Sequence, residues 1–311
     1  GGKLMAADCD KLNFKLPVAI LDFQGEELIA AGSVLDDAVI NDIVVKGRQK
    51  NFANVSLLQH GELRADLIRY MCATPYQYMF GGPEGVMAHL EKIGEIPVPA
   101  PVLNALDNFR EHDFYTYRHS LLVFALTTFM MDYCDAVDTP ERDVLLVGPT
   151  HDLGKLSVPI SILTKKTPLT RKERSILECH PVAGYVLNSY YLGDTSHPAA
   201  QVALNHHERK DGSGYPRGIS DVDPLVEMVS ACDVYDALIS TRPYRPTDYD
   251  NRSALEEITA LAEEGTLSWH CVHALIGRNR KGYPAAKKVK IAKARRGISP
   301  PDNCYGVFVE E

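Results

Sequence analysis

From about residue 102 onward the chain is patterned almost entirely as helix, yet its most apolar helices carry histidines and aspartates. Segments 102–113, 119–135, 141–153, 170–189, 199–208, 225–240, 253–264 and 268–277 each repeat apolar residues at three- and four-residue spacing. Strand signals are scarce there, so this part of the chain is restricted to packed helices, which must bury their apolar faces on one another. Any polar side chain on those faces then needs a partner.

Asp233 shows the problem most sharply. It lies between Val229 and Leu238 in a helix otherwise apolar on one side. An unpaired carboxylate in such a place is costly enough that it finds a cation or takes up a proton. A buried ion pair is the alternative. His151 and Asp152 follow the apolar run Val144-Leu145-Leu146-Val147, which places two ligand-type side chains at the end of a packed helix. A His-Asp pair alone says little, since His112-Asp113 is another in the same chain. What adds weight is the order: His119, then His151-Asp152, His180, the doublet His206-His207 and Asp233. Imidazole and carboxylate suit a divalent first-row metal, with iron placed first, manganese second, and zinc or nickel also admitted.

The amino-terminal part reads differently. Residues 14–46 alternate short apolar runs (18–21, 28–31, 43–45) with turn residues such as Gln24-Gly25 and Gly32-Ser33, which predicts a small β-containing unit. Residues 55–90 are more helical and are broken at Gly81-Gly82-Pro83, while 96–101, with three prolines, is the best linker candidate. The expected organisation is a small α/β domain over 1–98, a mostly α domain over 99–280 and a basic tail over 281–311. The tail is read as a solvated face, with contact to an anionic partner as the alternative. Residues 208–219 carry no apolar side chain until Tyr215, which predicts an exposed loop.

Composition removes several classes of function. A net charge of −8 argues against nucleic-acid binding, which needs surplus cations to neutralise phosphates. Seven scattered cysteines form no framework, which fits a reduced, cytoplasmic setting. The apolar stretch 121–131 is too short to span a membrane and holds two threonines, and no leader segment is visible.

The motifs resemble the HD-GYP phosphodiesterases, a branch of the HD superfamily. The matching segments are Arg118-His119-Ser120, His151-Asp152-Leu153-Gly154-Lys155-Leu156 with Val158-Pro159, Leu163-Thr164-Lys165, His180-Pro181, and His206-His207-Glu208-Arg209 through Asp211-Gly212-Ser213-Gly214-Tyr215-Pro216. Asp233-Val234-Tyr235-Asp236-Ala237-Leu238 and Arg242-Pro243-Tyr244-Arg245 complete the set, in family order. The resemblance implies that 99–280 is an HD-type helical bundle with a regulatory domain before it, and that it is a metal-dependent phosphodiesterase of a family that hydrolyses cyclic di-GMP to pGpG and often on to GMP. It implies two metals: one on His119, His151, Asp152 and Asp233, the other on Asp152, His180, His206 and His207, with Asp152 bridging. A metal-bridging hydroxide would attack phosphorus, because a metal lowers the pKa of water from 15.7 to about 7. Lys155 resembles the family lysine that meets a phosphate oxygen, Tyr215 belongs to the signature loop, and Arg242 and Arg245 resemble the substrate-side cations. Asp236, three residues after Asp233, is a candidate to orient a ligand, with a helix-surface salt bridge as its alternative.

Two positions depart from the family. Tyr115 stands where members with a third metal carry glutamate, which favours two metals, and Arg245 stands where lysine is commoner. Gly282-Tyr283-Pro284 repeats the signature tripeptide without a histidine doublet before it, and His270 and His273 lie outside the motif order. The alternatives are a low-activity module that binds a cyclic dinucleotide or a cyclase-domain protein through the loop 208–218, and a phosphodiesterase for another cyclic dinucleotide.

Overall fold

The computed structural model describes residues 13–133, 142–240, 247–292, 294–298, 300 and 308–309. It is mostly α-helical, with short strands. The amino-terminal unit contains two small antiparallel ladders, β1 (Phe14–Lys15) with β4 (Val34–Leu35) and β2 (Ile20–Leu21) with β3 (Glu27–Ile29). α1 (Asp37–Lys50) follows, and Asp36 caps it by accepting from the Val39 amide at 2.8 Å. The apolar run 43–45, grouped with the β-unit from sequence, lies inside α1. Three apolar residues in a row carry no period of their own, and the cap decides the outcome.

β5 (Asn54–Ser56) leads to α2 (Leu63–Met71), α3 (Tyr76–Phe80) and α4 (Gly82–Ile93), with α3 ending at Gly81 in the left-handed conformation. The segment expected to be a linker is structured instead. β6 (Pro97–Pro99) pairs antiparallel with β5, Ile96 and Val98 are buried, and α5 (Ala100–His112) starts at once. The prolines give up amide donors but keep their carbonyls, which an edge pairing tolerates. A single apolar core runs from Leu16 to Val289 without a break at this point.

α6 (Phe114–Met130) is the central helix. Residues Leu121 to Leu126 are all buried, the pattern of a helix apolar on every side. Asp113, from the other His-Asp pair, is its cap: Thr116 donates to Asp113 from its amide at 3.3 Å and from its hydroxyl at 2.6 Å. The helix expected over 141–153 is interrupted. A 3-10 turn (Arg142–Leu146), the single-turn α7 (Val147–Thr150) and a second 3-10 turn (Leu153–Ser157) replace it around Gly148-Pro149.

α8 (Ile160–Leu163) precedes β7 (Leu169–Thr170), which pairs in parallel with β8 (Phe308–Val309). The helix expected over 170–189 is two helices, α9 (Arg171–Leu177) and α10 (His180–Leu192). Pro181 cannot donate an amide within a helix interior but fits a first turn, so the chain restarts there. α11 (Pro198–Asn205), α12 (Pro224–Ile239), α13 (Asn251–Glu263) and α14 (Trp269–Arg278) lie close to their predicted bounds. The basic tail is docked in part: Val289 is buried, and the amides of Arg296 and Gly297 donate to Glu256 on α13 at 2.9 and 2.7 Å. Among the described residues no helix is long and apolar enough to cross a membrane.

Candidate metal centre

The seven candidate ligands come from five places in the chain and meet in one buried site. His119 is on α6, His151 and Asp152 follow α7, His180 opens α10, His206 and His207 follow α11, and Asp233 is on α12. Three overlapping groups place their ligand atoms within 4.8 Å of one another: His180, His206 and His207; His119, His151 and Asp233; His151, Asp152 and His206. Packing forces this convergence. A Cβ at Gly154 would lie 1.9 Å from the His180 carbonyl oxygen, so only glycine lets the turn after Asp152 press against α10.

Most of the rings are aimed by their outer nitrogen. His151 Nδ1 is 2.7 Å from the Gly148 carbonyl, His180 Nδ1 is 2.7 Å from the Leu177 carbonyl, and His206 Nδ1 is 2.9 Å from the Ala203 carbonyl. A carbonyl only accepts, so each Nδ1 carries the proton and each Nε2 presents a lone pair to the interior. His119 is aimed by a carboxylate, its Nδ1 donating to Asp236 Oδ2 at 2.6 Å. Histidine ligands of metals are commonly fixed in this way.

The inward Nε2 atoms of His151, His180 and His206 are therefore acceptors. His180 Nε2 is 3.3 Å from His206 Nε2 and 3.1 Å from His207 Nε2. His151 Nε2 and Asp152 Oδ1 are buried without a hydrogen-bond partner among the described residues. Asp152 lies between the groups: Oδ2 is 3.4 Å from His151 Nε2 and 3.7 Å from His119 Nε2, and Oδ1 is 3.4 Å from His180 Nε2 and 3.8 Å from His206 Nε2. His119 Nε2 lies 3.0 Å from Asp233 Oδ1. Orphaned buried acceptors of this kind call for a cation, and the donor set fits a divalent metal.

The electrostatics agree. Burial lowers His180 to about 4 and, together with the neighbouring rings His151 and His180, lowers His206 to about 3. Burial and the adjacent imidazoles likewise hold His207 well below the usual histidine range. These rings are neutral at pH 7, the form that binds metal. Burial also opposes charge on His119, but its bonds to Asp233 and Asp236 prevail and push it up to about 9. Burial would raise Asp152 and Asp233, yet the Lys155 ammonium beside Asp152 and the His119 bond to Asp233 hold both well below the carboxylate range.

Of the other predicted residues, Lys155 Nζ is 2.5 Å from Asp152 Oδ2, and Tyr215 stacks on the His207 ring with centroids 4.6 Å apart. Tyr115 stacks on His119 at 5.7 Å. Arg242 and Arg245 lie outside the described residues. The loop 208–219 is less exposed than expected, because buried Glu208 organises it, accepting from the Arg217 and Ile219 amides at 2.8 and 3.0 Å. His270 and His273 join none of the metal-binding groups, and His273 packs on Trp269. Sequence reasoning missed Tyr76 on α3, whose hydroxyl donates to Asp236 Oδ1 from 160 residues away. No local pattern marks it.

Residues 116–266 match the family described as the HD domain. This part of the chain is similar to that family. The chain also aligns with curated relatives. A cyclic di-GMP phosphodiesterase of Pseudomonas aeruginosa is 34% identical over 63% of this chain and 47% of its own length. A cyclic di-GMP phosphodiesterase response regulator of Xanthomonas campestris is 36% identical over 50% of this chain and 42% of its own. A 3'3'-cGAMP-specific phosphodiesterase of Vibrio cholerae is 32% identical over 42% of this chain and 30% of its own. The chain thus spans less than half the length of each of these relatives. The resemblance drawn from the ordered motifs agrees with these matches.

Proposed function

We propose that the HD domain is a metal-dependent phosphodiesterase that hydrolyses cyclic di-GMP to pGpG and on to GMP. The observation that carries this reading is the convergence of seven histidine and aspartate side chains on one buried site, with His151 Nε2 and Asp152 Oδ1 lacking a hydrogen-bond partner among the described residues, an arrangement that a divalent cation satisfies. His119, His151, Asp152 and Asp233 would hold one metal, and Asp152, His180, His206 and His207 a second, with Asp152 shared. Two metals are favoured over three because Tyr115 stacks on His119 at the position where a further carboxylate ligand would stand. Iron is placed first and manganese second, with zinc and nickel admitted by the same ligands. When bound, such metals acidify water and neutralise charge on a phosphoryl group.

The chain's own residues supply the rest. Lys155 lies next to Asp152 with its side chain 15% exposed, so one ammonium group can reach both the centre and a phosphate oxygen at its mouth. On a chain of net charge −8, local cations of this kind let a dianionic substrate approach, and Arg242 and Arg245 are assigned the same task. Tyr215, stacked on His207, stands on the loop side of the site. Asp236 fixes the His119 ring so that Nε2 points inward.

The test is anaerobic loading with iron or manganese, elemental analysis, and turnover of a substrate panel on the same sample. Two metals per chain and release of pGpG are expected. A metal-loaded sample that binds cyclic di-GMP and leaves it intact would sink the enzyme reading in favour of a signalling module acting through the loop 208–218. The similarity to the Vibrio cholerae relative supports a second reading, a cyclic GMP-AMP substrate, which the panel decides.

A further inference from the structure

We propose that Tyr76 is a positioning residue for the metal centre, acting through Asp236 on His119, so that the amino-terminal part of the chain completes a site the HD domain does not finish alone. The inference rests on the metal reading above. Tyr76 opens α3 and lies outside residues 116–266. Its ring is buried, and its hydroxyl donates to Asp236 Oδ1. Asp236 is itself 0% exposed and is held from two sides: Oδ1 accepts from Tyr76 and from Ser240 Oγ at 3.1 Å, while Oδ2 accepts from His119 Nδ1 at 2.6 Å.

Geometry assigns the division of labour. A carboxylate with one oxygen anchored can turn about its Cβ–Cγ bond only by breaking that anchor, so the donors on Oδ1 decide where Oδ2 points. Ser240 is the longer of the two anchors, its hydroxyl donating to Asp236 at 3.1 Å from a side chain with a freely rotating O–H. Tyr76 is a rigid ring seated in the core, and its hydroxyl is held well above the usual tyrosine range by burial and by the Asp236 charge, so it remains a donor. Tyr76 thus locks Asp236, Asp236 locks the His119 ring, and His119 Nε2 faces Asp233 and Asp152.

The experiment uses the full chain and Mn²⁺ as the probe. Tyr76→Phe keeps the ring and removes only the donor. Expected is a loss of Mn²⁺ affinity of about tenfold, the scale seen when partners of metal-binding histidines are removed, measured by chelator competition. A double-mutant cycle with Asp236→Asn gives the readout that a merely structural role would not move. Tyr76→Phe in the Asp236→Asn background should cost no further affinity, because the path to His119 is already cut. The His119 Nδ1 proton resonance should also shift in Tyr76→Phe. Unchanged affinity in Tyr76→Phe, or a full additional loss in the double variant, would overturn the proposal while leaving the metal reading intact. A wild-type chain that takes up no Mn²⁺ would overturn both.

Discussion

His180 and His206 face each other through Nε2 atoms 3.3 Å apart, and each ring has its Nδ1 proton committed to a backbone carbonyl. With both rings neutral, no proton lies between them, and the contact sets one lone pair against another. A bound cation converts that repulsion into two ligand bonds. Added Mn²⁺ should therefore stabilise the chelator-treated wild-type protein, by about 2.7 kcal/mol at a hundredfold excess over Kd. His206→Ala should lose most of that gain. Thermal unfolding with and without metal checks both, and an equal rise in the variant would remove His206 from the ligand set.

Asp152 is the acidic group that reaches both ends of the site, within 3.8 Å of His119, His151, His180 and His206. Asp152→Ala should lose both metals, whereas Asp233→Ala should lose chiefly the metal on the His119 side. Elemental analysis of the two variants separates these outcomes. Two metals per chain in Asp152→Ala would mean that the carboxylate does not bridge.

The helices that carry the centre were legible because α6 and α12 are long and apolar, and a run of that length has to be buried as helix. Asp233 stood out as a carboxylate in an apolar helix, and Asp236 by its place three residues later. The segments that deliver His151, Asp152 and His180 were read as continuous helices and are broken, because Pro149 and Pro181 interrupt the amide ladder where the ligands must turn inward. The segment 96–101 read as a linker by its prolines but is pinned by pairing with residues 54–56, a contact no local window contains. Tyr76 was invisible for the same reason, since its partner is 160 residues away.

Gly154 offers a test of how tightly the site is clamped. In Gly154→Ala the new methyl group would meet the His180 carbonyl oxygen at 1.9 Å and the Gly184 amide nitrogen at 2.4 Å. Both are backbone atoms, so neither can swing away, and the turn after Asp152 must lift off α10. A loss of about 1–3 kcal/mol is expected from such overpacking, together with reduced metal content. Urea unfolding and elemental analysis measure the two, and a variant unchanged in both would show that the clamp is loose.

Acid sensitivity should have a source remote from the centre. His89 is buried on α4 with Nε2 3.1 Å from Thr128 Oγ1, and burial lowers it from 6.5 to about 4. Above pH 6.5 neither the folded nor the unfolded state protonates this ring, so its contribution is fully present. As pH falls from 6.5 towards 4, the unfolded chain takes up the proton first and stability drops, by about 3 kcal/mol in total. His89→Gln should flatten that part of the pH dependence. Urea midpoints at neutral and acidic pH test this, and an unchanged slope would assign the acid loss elsewhere.

Lys155 separates a role in the centre from a role in the substrate's path. Its ammonium is 2.5 Å from Asp152 Oδ2, so it could serve only to neutralise that carboxylate. If instead it meets a phosphate oxygen, Lys155→Gln should keep its metal and lose turnover of cyclic di-GMP by about a hundredfold or more, the scale for removing one stabilising donor. Lys155→Arg should rescue poorly, because a planar guanidinium cannot occupy the position of a compact ammonium on both partners. Loss of metal in step with activity in Lys155→Gln would place the residue with Asp152 instead, as a counter-charge that the binding of metal displaces.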